Sequence, residues 1–201
     1  MPKACRWSGS DPNKPMGGPI NPAAMLGLLA GDPNKYDFVK QNFTELKQPL
    51  QDFSDLLDAR TDWSKFFAHG GKVIYHSAAN DYITNARGHM RLYQEIVKRH
   101  GQAEVDKHVR FYVTPQGNHG SVGFSSTTNK PLPRYMDLLS YLQNWVEKNA
   151  TPPDAIAQTL MDNKPPYTVQ RSRPLCRYPS YPRYQGQGDP DKLESYTCST
   201  R

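Results

Sequence analysis

Apolar positions are sparse at both ends of this chain and regularly spaced in its middle. From Tyr36 to Ala59, residues Phe38, Val39, Phe43, Leu46, Leu50, Phe53, Leu56 and Leu57 recur three or four apart, which predicts amphipathic helix interrupted at Pro49. Asp62 is placed to cap a short turn through Trp63, Phe66 and Phe67, and Gly70-Gly71 stops it. Val73 to His76 then reads as a buried strand. Thr84 or Asn85 can cap a helix reaching His100, with Met90, Tyr93, Ile96 and Val97 as its apolar stripe and Gly101 as its stop. Val109 to Val113 is the next strand. Pro133 opens a third helix whose core face is marked by Met136, Leu138, Leu139, Leu142, Trp145 and Val146. Strand, helix, strand, helix in that order makes a parallel crossover the default, so the class is α/β.

The flanks lack this regularity. Residues 1–35 carry Pro and Gly at close intervals and read as an irregular segment, with one short buried helix over Ala23 to Ala30. Residues 151–201 are Pro-rich and read as a loop-rich C-terminal extension packing on a core at 36–150. The totals agree: 36% hydrophobic residues, 18 prolines and 14 glycines in 201 residues, and a mean hydropathy of -0.79, imply a modest core and long irregular stretches.

Charge excludes little by itself. The formal net charge is +6, but the 25 Lys and Arg are scattered among 19 acids, and the densest group, Arg171 to Arg173 with Arg177 and Arg183, is interleaved with Pro, Tyr and Cys. That pattern is a solvated basic surface and argues against a nucleic-acid partner. No run approaches the ~18 apolar residues of a membrane span, which argues against a membrane partner. The Ala23 to Ala30 run also lacks the basic start and small-residue cleavage site of a secretory leader.

Of the three cysteines, Cys176 and Cys198 bracket a Pro/Tyr/Gly-rich tail that burial alone would hold poorly. A disulfide closing that loop would stabilise it by about 3 kcal/mol; two unpaired thiols are the alternative, and Cys5 is left over. Asn42-Phe43-Thr44 and Asn149-Ala150-Thr151 are glycosylation sequons and fit an oxidising secretory route.

The candidate chemistry lies just past the two strands. Asn80-Asp81 follows the first, and Pro115-Gln116-Gly117-Asn118-His119-Gly120 follows the second. In a parallel sheet catalytic groups gather at the carboxyl ends of strands. An acid and then a histidine at such ends is the chain order of the second and third members of a Ser-acid-His triad. His119 could accept a proton near neutral pH, and a buried Asp81 would fix its tautomer. The bland alternatives are a helix-capping Asp81 and a loop His119. His76 reads as a core histidine, and His69, His89, His100 and His108 show no metal-ligand spacing.

Four segments carry a family resemblance: Asp62 through His76, Asn80 to Thr84, Thr114 to Gly120, and Arg171-Ser172-Arg173-Pro174-Leu175-Cys176-Arg177-Tyr178-Pro179 continuing through Tyr184 to Pro190 and Cys198. Together they resemble the C-terminal part of the tannase and feruloyl esterase family of α/β-hydrolases. The resemblance implies a partial α/β-hydrolase fold with a parallel core and a Pro/Tyr-rich, disulfide-stapled tail. It assigns Asp81 as triad acid, with Asn80 as a competing alignment, His119 as general base, and Cys176 with Cys198 as a structural disulfide. It further implies a secreted carboxylic ester hydrolase acting on small esters of aromatic acids by serine-dependent acyl transfer. No cofactor is expected in this chain, because the family's calcium site would lie in a lid domain outside it.

Two departures stand out. The family places a cysteine directly after the histidine, bonded to another beside the nucleophile; here that position is Gly120. The serine elbow, which precedes the acid in chain order, is absent: Ser8, Ser10, Ser54, Ser64 and Ser77 sit in no such motif. His119-Gly120-Ser121-Val122-Gly123 lacks the leading glycine and follows the histidine. The chain therefore reads as a portion of such an enzyme, carrying acid and histidine but not nucleophile, oxyanion hole or lid. A truncated, non-catalytic or ligand-binding remnant is the alternative. An uncovered sheet edge would also favour self-association.

Overall fold

The structure is a computed structural model and describes residues 42, 44–81, 84–121, 123–125 and 128–200. The expected irregular segment at 1–35, the short helix over Ala23 to Ala30 and the helical positions Phe38, Val39 and Phe43 lie outside the described residues. The chain divides into two compact units, Met1–Ala59 and Arg60–Arg201.

In the first unit, helix α1 spans Lys47–Leu57. Pro49 does not interrupt it. The proline falls in the first turn, where its missing N–H would have had no intrahelical acceptor, and the Leu50 amide already reaches the Leu46 carbonyl at 2.9 Å.

The second unit begins with α2 (Ser64–Ala68), where the Asp62 carboxylate accepts from the Ser64 amide at 3.1 Å. Strand β1 (Val73–Ala78) follows. Helix α3 (Ala86–His100) starts at Asn85, whose side chain accepts from the Arg87 and Gly88 amides, and ends at Gly101, whose φ of +81° suits glycine. Helix α4 (Gln102–His108) was not expected; it is too short for a periodicity to emerge, and it leads directly into β2 (Val109–Thr114).

β1 and β2 pair in parallel from Val73 opposite Val109 to Ala78 opposite Thr114. Every residue of β2 is buried, so the strand reads as a continuous run rather than an alternation. Its alternate residues serve different cores. Val109, Phe111 and Val113 join Phe67, Tyr93, Ile96 and Val105, while Tyr112 packs with Ile156 and Leu175.

Helix α5 (Leu138–Lys148) starts later than Pro133, with Asp137 accepting from the Ser140 amide at 3.0 Å. Its expected core face is narrower than the apolar pattern implies. Trp145 is 1% exposed, but Leu139 and Val146 are 76% and 62% exposed. Trp145 instead receives the guanidinium of buried Arg110 over its ring at 5.3 Å. Arg110 also donates to the carbonyls of Asp106 and Pro152, which satisfies a cation on an otherwise apolar strand.

The C-terminal extension carries, between its loops, two antiparallel strand pairs that the sequence pattern did not show. β3 (Ala155–Met161) pairs antiparallel with β4 (Val169–Cys176), and β5 (Tyr181–Tyr184) with β6 (Tyr196–Ser199). Two inward positions of the first pair are polar, Gln158 at 4% and Arg171 at 7% exposed, which hid the alternation. Arg171 is neutralised by Asp191 at 2.5 Å, and Gln158 donates to Thr114 at 3.1 Å. The extension packs on the core: the Tyr178 amide bonds the Phe111 carbonyl at 2.8 Å, and Arg177 bridges to Tyr112. A Cys176–Cys198 disulfide ties β4 to β6.

Candidate active site

The two loops that leave β1 and β2 are laced together by the backbone. The Ala79 amide donates to the Thr114 carbonyl and the Asn80 amide to the Gly117 carbonyl, both at 2.9 Å. These bonds continue the parallel ladder past the ends of the strands and set Asp81 beside the turn at His119–Ser121. Gln116 at φ +60° and Gly120 at φ +78° shape that turn, the latter in a region that disfavours side chains.

Asp81 receives His119. Nδ1 of the imidazole lies 3.0 Å from Oδ2 of the carboxylate, across 38 residues of sequence. The Asp81 side chain is 8% exposed and that of His119 is 50% exposed. Thr84 holds the acid from the other side, its amide donating to Oδ1 at 3.0 Å and its hydroxyl to Oδ2 at 2.7 Å. With Nδ1 donating to the carboxylate, Nε2 is the nitrogen left to take a proton. Asn80, the competing acid position, is exposed and contributes its backbone amide to the loop lacing.

Four of the other histidines have structural roles. His76 lies on β1 with Nε2 2.8 Å from the Thr114 hydroxyl, and burial pulls its pKa below the ordinary histidine value. His108 is buried with Nδ1 2.8 Å from the Gly71 carbonyl and stacks on Phe67. His100 bonds the Trp63 amide. A Ser77–His89 contact of 2.9 Å, invisible in the sequence because its partners sit on a strand and a helix, buries the serine to 4% exposure.

The described serines before Asp81 are engaged elsewhere: Ser54 with Asp58, Ser64 with Asp62, Ser77 with His89. Ser8, Ser10 and the side chain of Ser121 lie outside the described residues. Among the described residues no group of three His, Cys, Asp or Glu side chains could hold a metal ion, and no helix is long and apolar enough to cross a membrane.

The sequence model described as tannase and feruloyl esterase matches residues 29–199, across both strands, the acid and histidine loops and the disulfide-bonded tail. The chain belongs to the tannase and feruloyl esterase family. It is 36% identical over 156 residues to an uncharacterized esterase of Agrobacterium fabrum, covering 77% of this chain and 26% of that protein. A probable feruloyl esterase of Arthroderma benhamiae is 28% identical over 155 residues, covering 76% of this chain and 27% of that protein. The chain thus spans about a quarter of the length of these curated relatives. The crystal structure of an esterase from Aspergillus oryzae superposes with a TM-score of 0.70 at 24% identity, over 86% of this chain and 36% of that one. The fold of this tannase and feruloyl esterase family member is accordingly of α/β-hydrolase type, with mixed helices and strands and one disulfide.

Proposed function

We propose that this chain carries the acid and the general base of a serine-type carboxylic ester hydrolase that acts on esters of aromatic acids. The contact between Asp81 and His119 carries the reading. Asp81 orients the imidazole and stabilises the imidazolium; Nε2 takes the proton of a serine hydroxyl as it attacks the ester carbonyl. The imidazolium then returns that proton to the departing alcohol. Water, deprotonated by the same nitrogen, attacks the acyl-enzyme, releases the acid and restores the serine. The nucleophile and oxyanion donors come from outside the described residues. That the chain spans about a quarter of its relatives' length and holds Asp81 and His119 together supports that division.

The substrate class is inferred from the feruloyl esterase among the relatives, and secretion from the disulfide, which persists in oxidising compartments. The competing reading, a remnant without catalysis, draws on Gly120, where the resemblance places a cysteine tether.

A chimera separates the two. Residues 60–200 would replace the matching segment of the Agrobacterium esterase, and methyl ferulate hydrolysis would be followed with and without His119→Ala. Turnover that depends on His119 supports the hydrolase, whereas a folded chimera that labels with a fluorophosphonate yet turns over no ester leaves only the remnant. Fluorophosphonate labelling of the 201-residue chain alone would point to a serine within it.

A further inference from the structure

Beyond the Asp81–His119 pair, a cleft of about 350 Å3 opens between β3 and β4, the β5–β6 pair and the segment that follows β2. Its walls are part apolar, with Pro115 and Leu132 beside the rings of Tyr184 and Tyr196, and part polar, with Gln158 and Arg173 among them. Both tyrosine hydroxyls are already committed, to the carbonyls of Gly188 and Pro190 at 2.7 Å each. What the tyrosines offer the cleft is ring surface, and the two rings lie 5.5 Å apart at an angle of 58°.

One cation lines this space. Arg173 stands opposite Gln158 in the β3–β4 register, with its guanidinium 5.2 Å from the centre of the Tyr196 ring. Its Nε–H is buried and has no acceptor. The other half-buried or buried arginines among the described residues differ. Arg171 and Arg177 pair with carboxylates, Arg110 bonds carbonyls, and Arg134, whose Nε–H is likewise buried without a partner, donates from Nη2 to the Tyr135 hydroxyl. Arg173 alone of these five makes no side-chain hydrogen bond in the described structure, although its flat fork is the group best shaped to grip a carboxylate with two parallel bonds.

We infer that this cleft is a second binding site, for a small aromatic monocarboxylate. The carboxylate would sit on Arg173 and the ring would lie among the prolines and tyrosines. A single guanidinium with no further cation suits one negative charge better than a phosphate dianion, and proline and tyrosine surface beside that cation is what an aromatic carboxylate requires. Gln158, 4% exposed and donating to Thr114, adds a fixed amide to the floor. The site stands independently of whether Asp81 and His119 hydrolyse an ester. Its far wall includes Pro115 and Gln116, which lead into His119, so an occupant would brace the stem of that loop.

Benzoate, benzamide and acetate separate the requirements for charge and ring. The 201-residue chain would be titrated with each while nitrogen and proton NMR shifts are recorded. Benzoate is expected to move the Arg173 Nε–H signal and the amides of Gln158 and Tyr196 saturably, and to bind at least about tenfold tighter than either of the others. Arg173→Gln should erase the preference for benzoate over benzamide, and Arg173→Lys should keep part of it. Equal responses to benzoate and benzamide in the wild-type chain, shifts confined to the Asp81–His119 turn, or shifts that never saturate would each overturn the assignment, whatever the fate of the variants.

Discussion

Asp81 and His119 meet at 3.0 Å because two backbone hydrogen bonds, from Ala79 to Thr114 and from Asn80 to Gly117, carry the parallel pairing of β1 and β2 beyond the strands themselves. The acid is shielded and held twice by Thr84, and the base is half-exposed. A buried orienting group with an accessible proton acceptor is the asymmetry acyl transfer requires.

Replacing the acid tests that asymmetry. In the chimera, Asp81→Asn is expected to lower kcat by roughly 10^4-fold with little change in KM, because the amide no longer selects the Nδ1–H tautomer. Thr84→Val, which removes only a supporting hydroxyl, should cost about tenfold, in line with a lost hydrogen bond of about 1–1.5 kcal/mol. Ester hydrolysis kinetics, with circular dichroism confirming the fold, would decide both. Equal losses for the two variants would contradict the assigned roles.

Gly120 follows the histidine with φ +78° and open space around the position a Cβ would occupy. Gly120→Ala therefore meets no neighbour, yet strains the backbone by about 1 kcal/mol. A fall in thermal midpoint of roughly 2–4 °C is expected, together with reduced hydrolysis as the turn carrying His119 relaxes. An unchanged midpoint would mean that the turn tolerates a side chain.

Disulfide reduction should destabilise the second unit. Cys176 is fully buried and joined to Cys198 across 22 residues, so breaking the bond should cost about 3 kcal/mol. Cys198→Ser spares the buried half and should show most of that loss in denaturant titration, and added reductant should then have no further effect on it.

Stability should also depend on pH through His76. Burial lowers its folded pKa below the ordinary histidine value of about 6.5, so between the two values the unfolded chain binds a proton that the folded chain refuses. Its contribution is fully present above about pH 6.5 and is lost as pH falls through the folded pKa. His76→Gln should flatten the decline of unfolding free energy on acidification below pH 6.5, and an identical slope in the variant would assign the decline to other groups.

Local signals in the sequence were strong wherever one rule governed one element. Asn85 and Gly101 bound α3 because capping and positive φ are local requirements, and the apolar run at 109–113 marks a strand buried on both faces. The order of acid and histidine after consecutive strands was legible for the same reason. Where side chains answer to distant partners, pattern failed. Gln158 and Arg171 face inward because Thr114 and Asp191 satisfy them, which disguised β3 and β4 as loop. Leu139 and Val146 follow a core-like spacing on α5 yet stay exposed.

The sequence by itself determined the parallel core, the residues at its strand ends and the cysteines of the tail, since periodicity, capping and motif order are written along the chain. Only the tertiary structure decided that Asp81 and His119 touch, that the tail forms two antiparallel pairs, and that Arg173 faces a cleft without an acceptor. Those depend on pairings between residues far apart in sequence, whose hydrogen bonds and burial no local window contains.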